Sequence, residues 1–191
     1  IGGETITNSN LVRQKCLNNN FYGTVFSLQY KPVNALDLIL GGAYNKYDGN
    51  HYGKVIWAQY ASNSSPDNRY YDNDATKKDF NIYGKASYGI NDKLHAFVDL
   101  QYRNVNYSFL GYDQEINNVQ QDVKLNFFNP KIGFNYQINN SSSAYLSYGH
   151  TSKEPNRDEY TQSTPQSRPK PEKLDNIEFG FRNQTAKRNV D

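Results

Sequence analysis

The dominant pattern along this chain is an alternation of apolar and polar residues with a period of two. Between residues 94 and 103 the even positions are all apolar or aromatic, whereas the odd positions include every charged and strongly polar residue: they carry His95, Phe97, Asp99, Gln101 and Arg103. Residues 80–90 and 131–138 repeat the alternation. Successive side chains on a strand point to opposite faces, so each segment is predicted to be a two-faced β-strand.

This reading predicts seven strands and the beginning of an eighth. Each is about ten residues long, which suits a tilted strand that crosses a membrane, whereas soluble strands are usually about five or six residues long. The predicted strands lie near residues 21–31, 35–46, 79–90, 93–105, 127–138, 143–152 and 173–184, with the eighth from residue 188.

The connections between these strands alternate in length. Short ones are predicted near residues 31–34, 91–92, 139–142 and 184–187, and long ones at 47–78, 106–126 and 153–172, with residues 1–20 ending a further long loop. Outer-membrane barrels have short periplasmic turns and long extracellular loops. We therefore predict an all-β, antiparallel, up-and-down transmembrane barrel segment.

Composition supports a sheet with one wet face. The 191 residues include 17 Tyr and 10 Phe, yet the mean hydropathy is −0.90. Many aromatic residues sit near predicted strand ends, where they would form a membrane-interface girdle or simply reflect the strand preference of tyrosine; they are Tyr22, Tyr30, Tyr44, Tyr88, Tyr136 and Tyr148.

A net charge of +2 without long basic runs argues against nucleic-acid binding. The single Cys16 excludes an internal disulfide.

Two stretches resemble the barrel of TonB-dependent receptors. The first runs from Ser143 to Phe181 and carries the family's strand, K-x-P-x-R-x-E and K-P-E elements in order; its matching residues are Tyr145, Ser147, Tyr148, Pro155, Asn156, Arg157, Glu159, Lys170, Pro171, Glu172, Glu178 and Gly180. The second, from Leu17 to Trp57, is similar to receptors of this family from Bacteroidetes-type bacteria.

The resemblance implies a fragment of the C-terminal barrel domain of an outer-membrane active transporter. It implies import of a scarce ligand of the iron–siderophore, haem, cobalamin or glycan class. The expected partners are the lipid bilayer and its lipopolysaccharide, the receptor's own plug domain, through the plug the TonB complex, and the small-molecule ligand. Neither a plug nor a TonB box is recognised in this stretch, and both chain ends look internal. No enzymatic activity and no cofactor are expected.

Charged residues inside the predicted strands fall on the polar register. Lysine or arginine facing lipid at mid-membrane costs about 2–4 kcal/mol, so these residues are predicted to face the lumen. Glu178 is assigned a structural and electrostatic role, pairing with a lumen cation or the plug, with Phe179 on the lipid side. The set comprises Lys85, Asp99, Arg103, Lys131, Glu178 and Arg182.

The sequence carries no catalytic motif, and its candidate functional residues fall in predicted loops. No nucleophile elbow, phosphate loop or dinucleotide motif occurs, and the three histidines lack metal-ligand spacing. The acidic stretch 67–79 fits a solvated loop better than a calcium site. Loop aromatics are candidates for ligand contact, although they could equally pack the loop; they are His51, Tyr52, Trp57, Tyr60, Tyr70 and Tyr71.

Two other architectures remain open at this point. One is a small structural or adhesive outer-membrane barrel of about eight strands. The other is a soluble carbohydrate-binding β-sandwich, which would have two sheets and Greek-key crossings instead of one sheet of sequential hairpins.

Overall fold

A computed structural model describes residues 8–60, 68–113, 116 and 118–183. They form seven strands and one short helix: β1 (Leu11–Val33), β2 (Leu36–Ala58), β3 (Arg69–Gly89), β4 (Leu94–Tyr112), β5 (Gln121–Asn139), β6 (Ser142–Lys153), α1 (Arg157–Thr161) and β7 (Glu172–Asn183). The predicted turn at 184–187 and the eighth strand lie outside the described residues.

All seven strands belong to one antiparallel sheet in the order β1-β2-β3-β4-β5-β6-β7. The predicted up-and-down topology is therefore confirmed, and a two-sheet sandwich is excluded for the described residues. Within those residues β1 and β7 each pair with one strand only, so the sheet is open at both edges.

The alternation of short and long connections is also present, but the strands extend further than predicted. The short connections are residues 34–35, 90–93 and 140–141, and the long ones are 59–68, 113–120 and 154–171. Residues 47–58, 69–78, 106–112 and 121–126, predicted as loop, continue the strands, as do residues 11–20. Residues 47–58 and 69–78 carry polar side chains on both faces, so the alternation that marks a strand is missing there. Residues 106–109 and 122–126 do alternate, with Tyr107, Phe109, Val123 and Leu125 on one face.

One face of the sheet, which we call the band face, carries a continuous apolar band. On each of β2 to β5 the band occupies five alternate positions within nine residues, none of them charged; the segments are 36–44, 80–88, 94–102 and 128–136. On β6 and β7 the register adds Leu146 opposite Phe179 and Tyr148 opposite Ile177. Nine residues match the length with which a tilted strand crosses a bilayer.

The six strand-end tyrosines all lie on the band face. Tyr22 and Tyr44 mark the end of the band nearer the long connections, and Tyr30, Tyr88 and Tyr136 mark the other end. Tyr148 lies at mid-band instead, opposite Ile132. Phe80, Tyr102 and Phe128 complete the row near the long connections. Amphipathic rings at both edges of an apolar band have the arrangement of a membrane-interface girdle.

The opposite face, which we call the loop face because segment 154–171 packs on it, carries the charged residues. In the register Lys85 lies directly opposite Asp99, and Asp99 directly opposite Lys131. Glu178 lies opposite Ser147 on this same face, while Phe179 lies on the band face as predicted. The register therefore places all six charged residues on one side; that this side is the lumen remains a prediction.

Close ring packing explains three glycines on the loop face. Tyr83 covers Gly41, Phe97 covers Gly133 and Tyr145 covers Gly180, each ring coming from the directly paired residue. A Cβ at any of these glycines would overlap the ring. Gly180 and Tyr145 of the family motif thus form one packing pair, and Gly41 is the close approach that a glycine inside a strand suggests.

Candidate ligand-binding site

A buried aromatic cluster of the described residues lies on the loop face near the long connections. Tyr160 of α1 is 2% exposed and packs against Tyr107 and Phe109, with ring centroids 6.0 and 5.4 Å away. Burial raises the pKa of Tyr107 and of Tyr160 to about 12, so both rings are neutral. This cluster holds segment 154–171 down on the sheet.

The family-motif residues at the beginning of this segment each make a defined contact. Pro155 is buried. The backbone N–H of Asn156 donates to the Glu159 carboxylate over 2.5 Å, which ties down the first turn of α1. Arg157 donates to the side-chain and backbone oxygens of Asn73 on β3, over 2.6 and 3.1 Å. These motif residues therefore anchor the beginning of segment 154–171 on the sheet.

Further along, the motif residues contribute less. Glu172 meets Lys153 over 3.5 Å, but both side chains are more than 60% exposed, which makes a weak surface pair. Lys170 is exposed and Pro171 is half-buried.

A charge cluster at Glu154, the first residue of the segment, fixes this same end of the loop. Glu154 binds both Lys77 and Arg103, and Arg103 also forms a double hydrogen bond with Asp79. The four side chains are 15–25% exposed, so water screens them only partly. Arg103, one of the charged residues predicted from the strand register, has its partners here.

Between the cluster and β1 a polar cavity of about 230 Å³ opens on the loop face. It combines cations, carboxylates, amides and two ring side chains. Its walls are Lys15, Leu17, His51, Tyr71, Asn73, Asp113, Arg157, Asp158, Thr161 and Gln162.

His51 stands in the wall of this cavity within a hydrogen-bonded group. Its Nε2 lies 2.9 Å from the Tyr47 hydroxyl and 3.0 Å from the Asn19 side-chain oxygen. Burial, reinforced by the charge of Arg157, lowers the pKa of His51 below its usual value. The imidazole is therefore neutral at physiological pH and can both donate and accept a hydrogen bond.

The six ring residues predicted for ligand contact do not form one site. His51 and Tyr71 line the cavity, and Tyr70 packs edge-on against Tyr71 with centroids 5.1 Å apart. Tyr52 lies on the band face, where the guanidinium of Arg69 stacks 3.7 Å from its ring centre. Trp57 pairs with Val12 near the end of β2, and Tyr60 beyond β2 is exposed.

The residues missed by sequence reasoning are Lys15, Asn73 and the cavity role of Arg157. Lys15 and Asn73 fall in segments predicted as loop, where no face could be assigned. Asp72, Asp74 and Asp79, read as part of an acidic loop, lie in β3, where Asp79 binds Arg103 and the other two accept from Asn50.

A larger cavity of about 300 Å³ lies on the same face at the level of the apolar band and includes Lys131 and Glu178 in its walls. Glu178 accepts a hydrogen bond from Asn176 over 2.7 Å. Among the described residues it forms no ion pair, so the predicted pairing with a cation of this wall is not found. The other predicted partner of Glu178, a residue of the plug domain, remains a prediction.

The described residues contain no group of three His, Cys, Asp or Glu side chains placed to hold a metal ion. Across the same described ranges, no helix combines the length and apolar character needed to span a membrane.

The comparisons with known proteins agree with this geometry. A family model described as TonB dependent receptor-like, beta-barrel matches residues 2–190. The solved structure of the copper transporter OprC aligns over 91% of this chain with a TM-score of 0.74 and 11% identity. The alcaligin outer-membrane receptor FauA from Bordetella pertussis aligns over 91% with a TM-score of 0.54 and 19% identity.

A third structure, the ferripyoverdine receptor of the outer membrane of Pseudomonas aeruginosa, aligns over 95% of the chain with a TM-score of 0.56 and 16% identity. The matched regions cover 29%, 27% and 25% of these three proteins, so the chain spans little more than a quarter of their length. A comparison with curated protein sequences gives no match.

Proposed function

We propose, from the fact that this chain belongs to the TonB-dependent receptor-like β-barrel family, that it forms part of the barrel wall of a transporter importing a scarce ligand across the outer membrane. Receptors of this family are outer-membrane transporters and not enzymes. The seven described strands would be about a third of a barrel of roughly 22 strands. Family membership favours this large barrel over the small eight-stranded one.

In this arrangement the band face meets lipid and the loop face lines the lumen. The long connections lie outside the cell and the short ones in the periplasm. The plug domain would contact the loop face at the level of the band, where Lys85, Asp99, Lys131, Glu178 and Arg182 project. Coupling to the TonB complex would pass through that plug.

The observation that carries the ligand site is the cavity at His51, Tyr71 and Arg157. It lies on the loop face in the outer half of the wall, where a ligand from outside arrives before reaching the plug. Its lining of amide, imidazole, hydroxyl and charged groups suits a hydrophilic, oxygen-rich ligand. A ferric siderophore or a glycan fits this chemistry better than the mainly apolar face of haem.

Replacing His51 in the intact receptor tests this site. Loss of a polar contact in a partly buried pocket costs about 1–2 kcal/mol, so His51→Ala should weaken ligand binding roughly tenfold. Binding is measured on purified receptor against a panel of ferric hydroxamate and catecholate chelates, haem, cobalamin and oligosaccharides. The panel member that wild type binds then serves for the variants.

Tyr52→Ala is the matched control, because Tyr52 is the next residue in the same strand and faces the other way. Its affinity should stay within about twofold of wild type. A large loss with Tyr52→Ala and none with His51→Ala would move the ligand site away from the loop face.

A further inference from the structure

Three polar side chains of β1 and β2 form a closed group beside the ligand cavity, on the loop face. Asn19 lies directly opposite Gly49, and Tyr47 and His51 stand two residues to either side of Gly49 on β2. A Cβ at Gly49 would overlap the Tyr47 hydroxyl, so the glycine leaves the space that the group occupies. We call Asn19, Tyr47 and His51 the polar triangle.

Each side of the polar triangle is a hydrogen-bond distance. The Tyr47 hydroxyl lies 2.7 Å from the Asn19 side-chain oxygen. Nε2 of His51 lies 2.9 Å from that hydroxyl and 3.0 Å from that side-chain oxygen. Arg157 adds a further contact, because its Nη1 donates to the Tyr47 oxygen over 3.3 Å. Since Arg157 belongs to segment 154–171, the docked loop takes part in the group.

With the Asn19 oxygen facing Tyr47, the hydrogens of this group have one arrangement. An amide oxygen can only accept and a guanidinium can only donate. The Tyr47 oxygen therefore accepts from Arg157, and its own hydrogen goes to Asn19. No group is then left to donate to Nε2 of His51, and a bare Nε2 would face two oxygen atoms. Nε2 therefore carries the imidazole hydrogen.

The other ring nitrogen of His51 is consequently a bare acceptor. Burial and the charge of Arg157 lower the pKa of His51, and a neutral imidazole has only one N–H. Nδ1 forms no hydrogen bond with any of the described residues. His51 lines the cavity, whereas Asn19 and Tyr47, the partners of Nε2, do not. Nδ1 is therefore the nitrogen left to face the cavity.

We propose that Asn19 is a positioning residue: it holds His51 as the Nε2–H tautomer, so that Nδ1 accepts a hydrogen bond from the ligand. Tyr47 and Arg157 complete this arrangement. The cavity then selects a ligand group that carries a hydrogen, such as a hydroxyl, over an oxygen that can only accept, such as a carboxylate. The inference rests on the proposed function, because Nδ1 meets a ligand only if this cavity is the ligand site.

The tautomer is measured by solid-state NMR of the intact receptor in lipid, with isotope-labelled histidine and the His51 signals assigned by their loss in His51→Gln. In wild type Nε2 should carry the hydrogen. In Asn19→Leu the Tyr47 hydroxyl loses its acceptor and should donate to Nε2, so the hydrogen should move to Nδ1. Asn19→Asp keeps an accepting oxygen and should keep the hydrogen on Nε2.

Chemical modification tests whether Nδ1 is open to the cavity. Diethyl pyrocarbonate acylates an unprotonated imidazole nitrogen, and mass spectrometry of the peptide that contains His51 gives the rate. Asn19→Leu should react roughly fivefold more slowly than wild type, because its bare Nε2 accepts a hydrogen bond from Tyr47. The control is Asn18→Leu, the next residue of β1, which lies on the band face. It should keep the wild-type tautomer and the wild-type rate.

Three results would overturn the proposal. One is an Nδ1–H tautomer in wild type, which would mean that the NH₂ group of Asn19 faces Tyr47. Another is an unchanged tautomer in Asn19→Leu, and the third is equal modification of Asn19→Leu and wild type.

The proposed function is judged separately, by ligand binding of His51→Ala. Unchanged binding in His51→Ala together with the expected tautomers would refute the ligand site and leave the positioning of His51 by Asn19 intact. Weakened binding in His51→Ala together with an Nδ1–H tautomer in wild type would refute only the present inference.

Discussion

Val98→Arg is expected to lower the stability of the assembled receptor in lipid by about 2–4 kcal/mol. Val98 is the central residue of the five band-face positions on β4, which run from Leu94 to Tyr102. An arginine there would stand at the middle of the bilayer, where its charge has neither water nor a partner. The effect is measured by urea unfolding of the receptor in lipid vesicles, and less folded receptor should accumulate in the outer membrane.

Gln101→Arg is the matched control, three residues further along β4 and on the loop face. This face already holds Arg103 and Lys131, so a new cation there should change stability by less than about 1 kcal/mol. Equal losses for the two variants, or a larger loss for Gln101→Arg, would mean that the two faces have been assigned the wrong way round.

Tyr160→Ala is expected to release segment 154–171 from the sheet. The ring is 2% exposed among Tyr107, Phe109, Ala75 and Val119. Truncating a buried aromatic side chain to alanine costs about 3–5 kcal/mol. The remaining contacts of segment 154–171 are too few to make up this loss of stability. Hydrogen exchange of the α1 amides should accelerate strongly, and proteases should cut the segment in the intact receptor.

Tyr160→Phe separates ring packing from the hydroxyl group. The Tyr160 hydroxyl is buried and finds no hydrogen-bond partner among the described residues, so its removal should be neutral or slightly stabilising. The hydrogen-exchange rates of the α1 amides in Tyr160→Phe should equal those of wild type or be lower. If Tyr160→Phe loosened the segment as much as Tyr160→Ala, the hydroxyl rather than the ring would hold the loop.

The part of the sheet that carries the apolar band could be predicted from sequence because its two faces differ by a simple rule. Every second residue between Leu94 and Tyr102 is uncharged, and the intervening residues include Asp99 and Gln101. This alternation predicts a strand with two different faces, and the register confirms it. The same alternation on β7 puts Glu178 and Phe179 on opposite faces, which the register also confirms.

The outer part could not be predicted in the same way. Beyond Tyr44, the band face of β2 continues as Lys46, Asp48 and Asn50, while the loop face carries Tyr47 and His51. In the proposed arrangement this part of β2 lies beyond the bilayer, so neither face needs to be apolar and the period of two disappears. Extending the odd–even alternation of β2 beyond Tyr44 would nevertheless have assigned His51 to the loop face and Tyr52 to the band face.

The contacts around the cavity could not be predicted from local sequence, because they join residues that are far apart along the chain. Arg157 reaches Asn73 across 84 positions of sequence, and Glu154 reaches Lys77 across 77. The family resemblance included Arg157 among its matching residues, but only the fold of segment 154–171 onto β3 gives Arg157 its partner Asn73.

The central claim is that one face of this sheet meets lipid and the other meets an aqueous lumen, and spin labelling along β4 tests it most directly. Cys16 is first replaced by serine, and single cysteines are then introduced at each position from 94 to 112 of the intact receptor in lipid vesicles. Collisions with oxygen report lipid, and collisions with a polar nickel chelate report water. The account predicts strict alternation from 94 to 102, with oxygen favoured at even positions, and loss of the oxygen preference beyond Tyr102. Equal accessibility at odd and even positions, or oxygen favoured at Asp99 and Gln101, would contradict it.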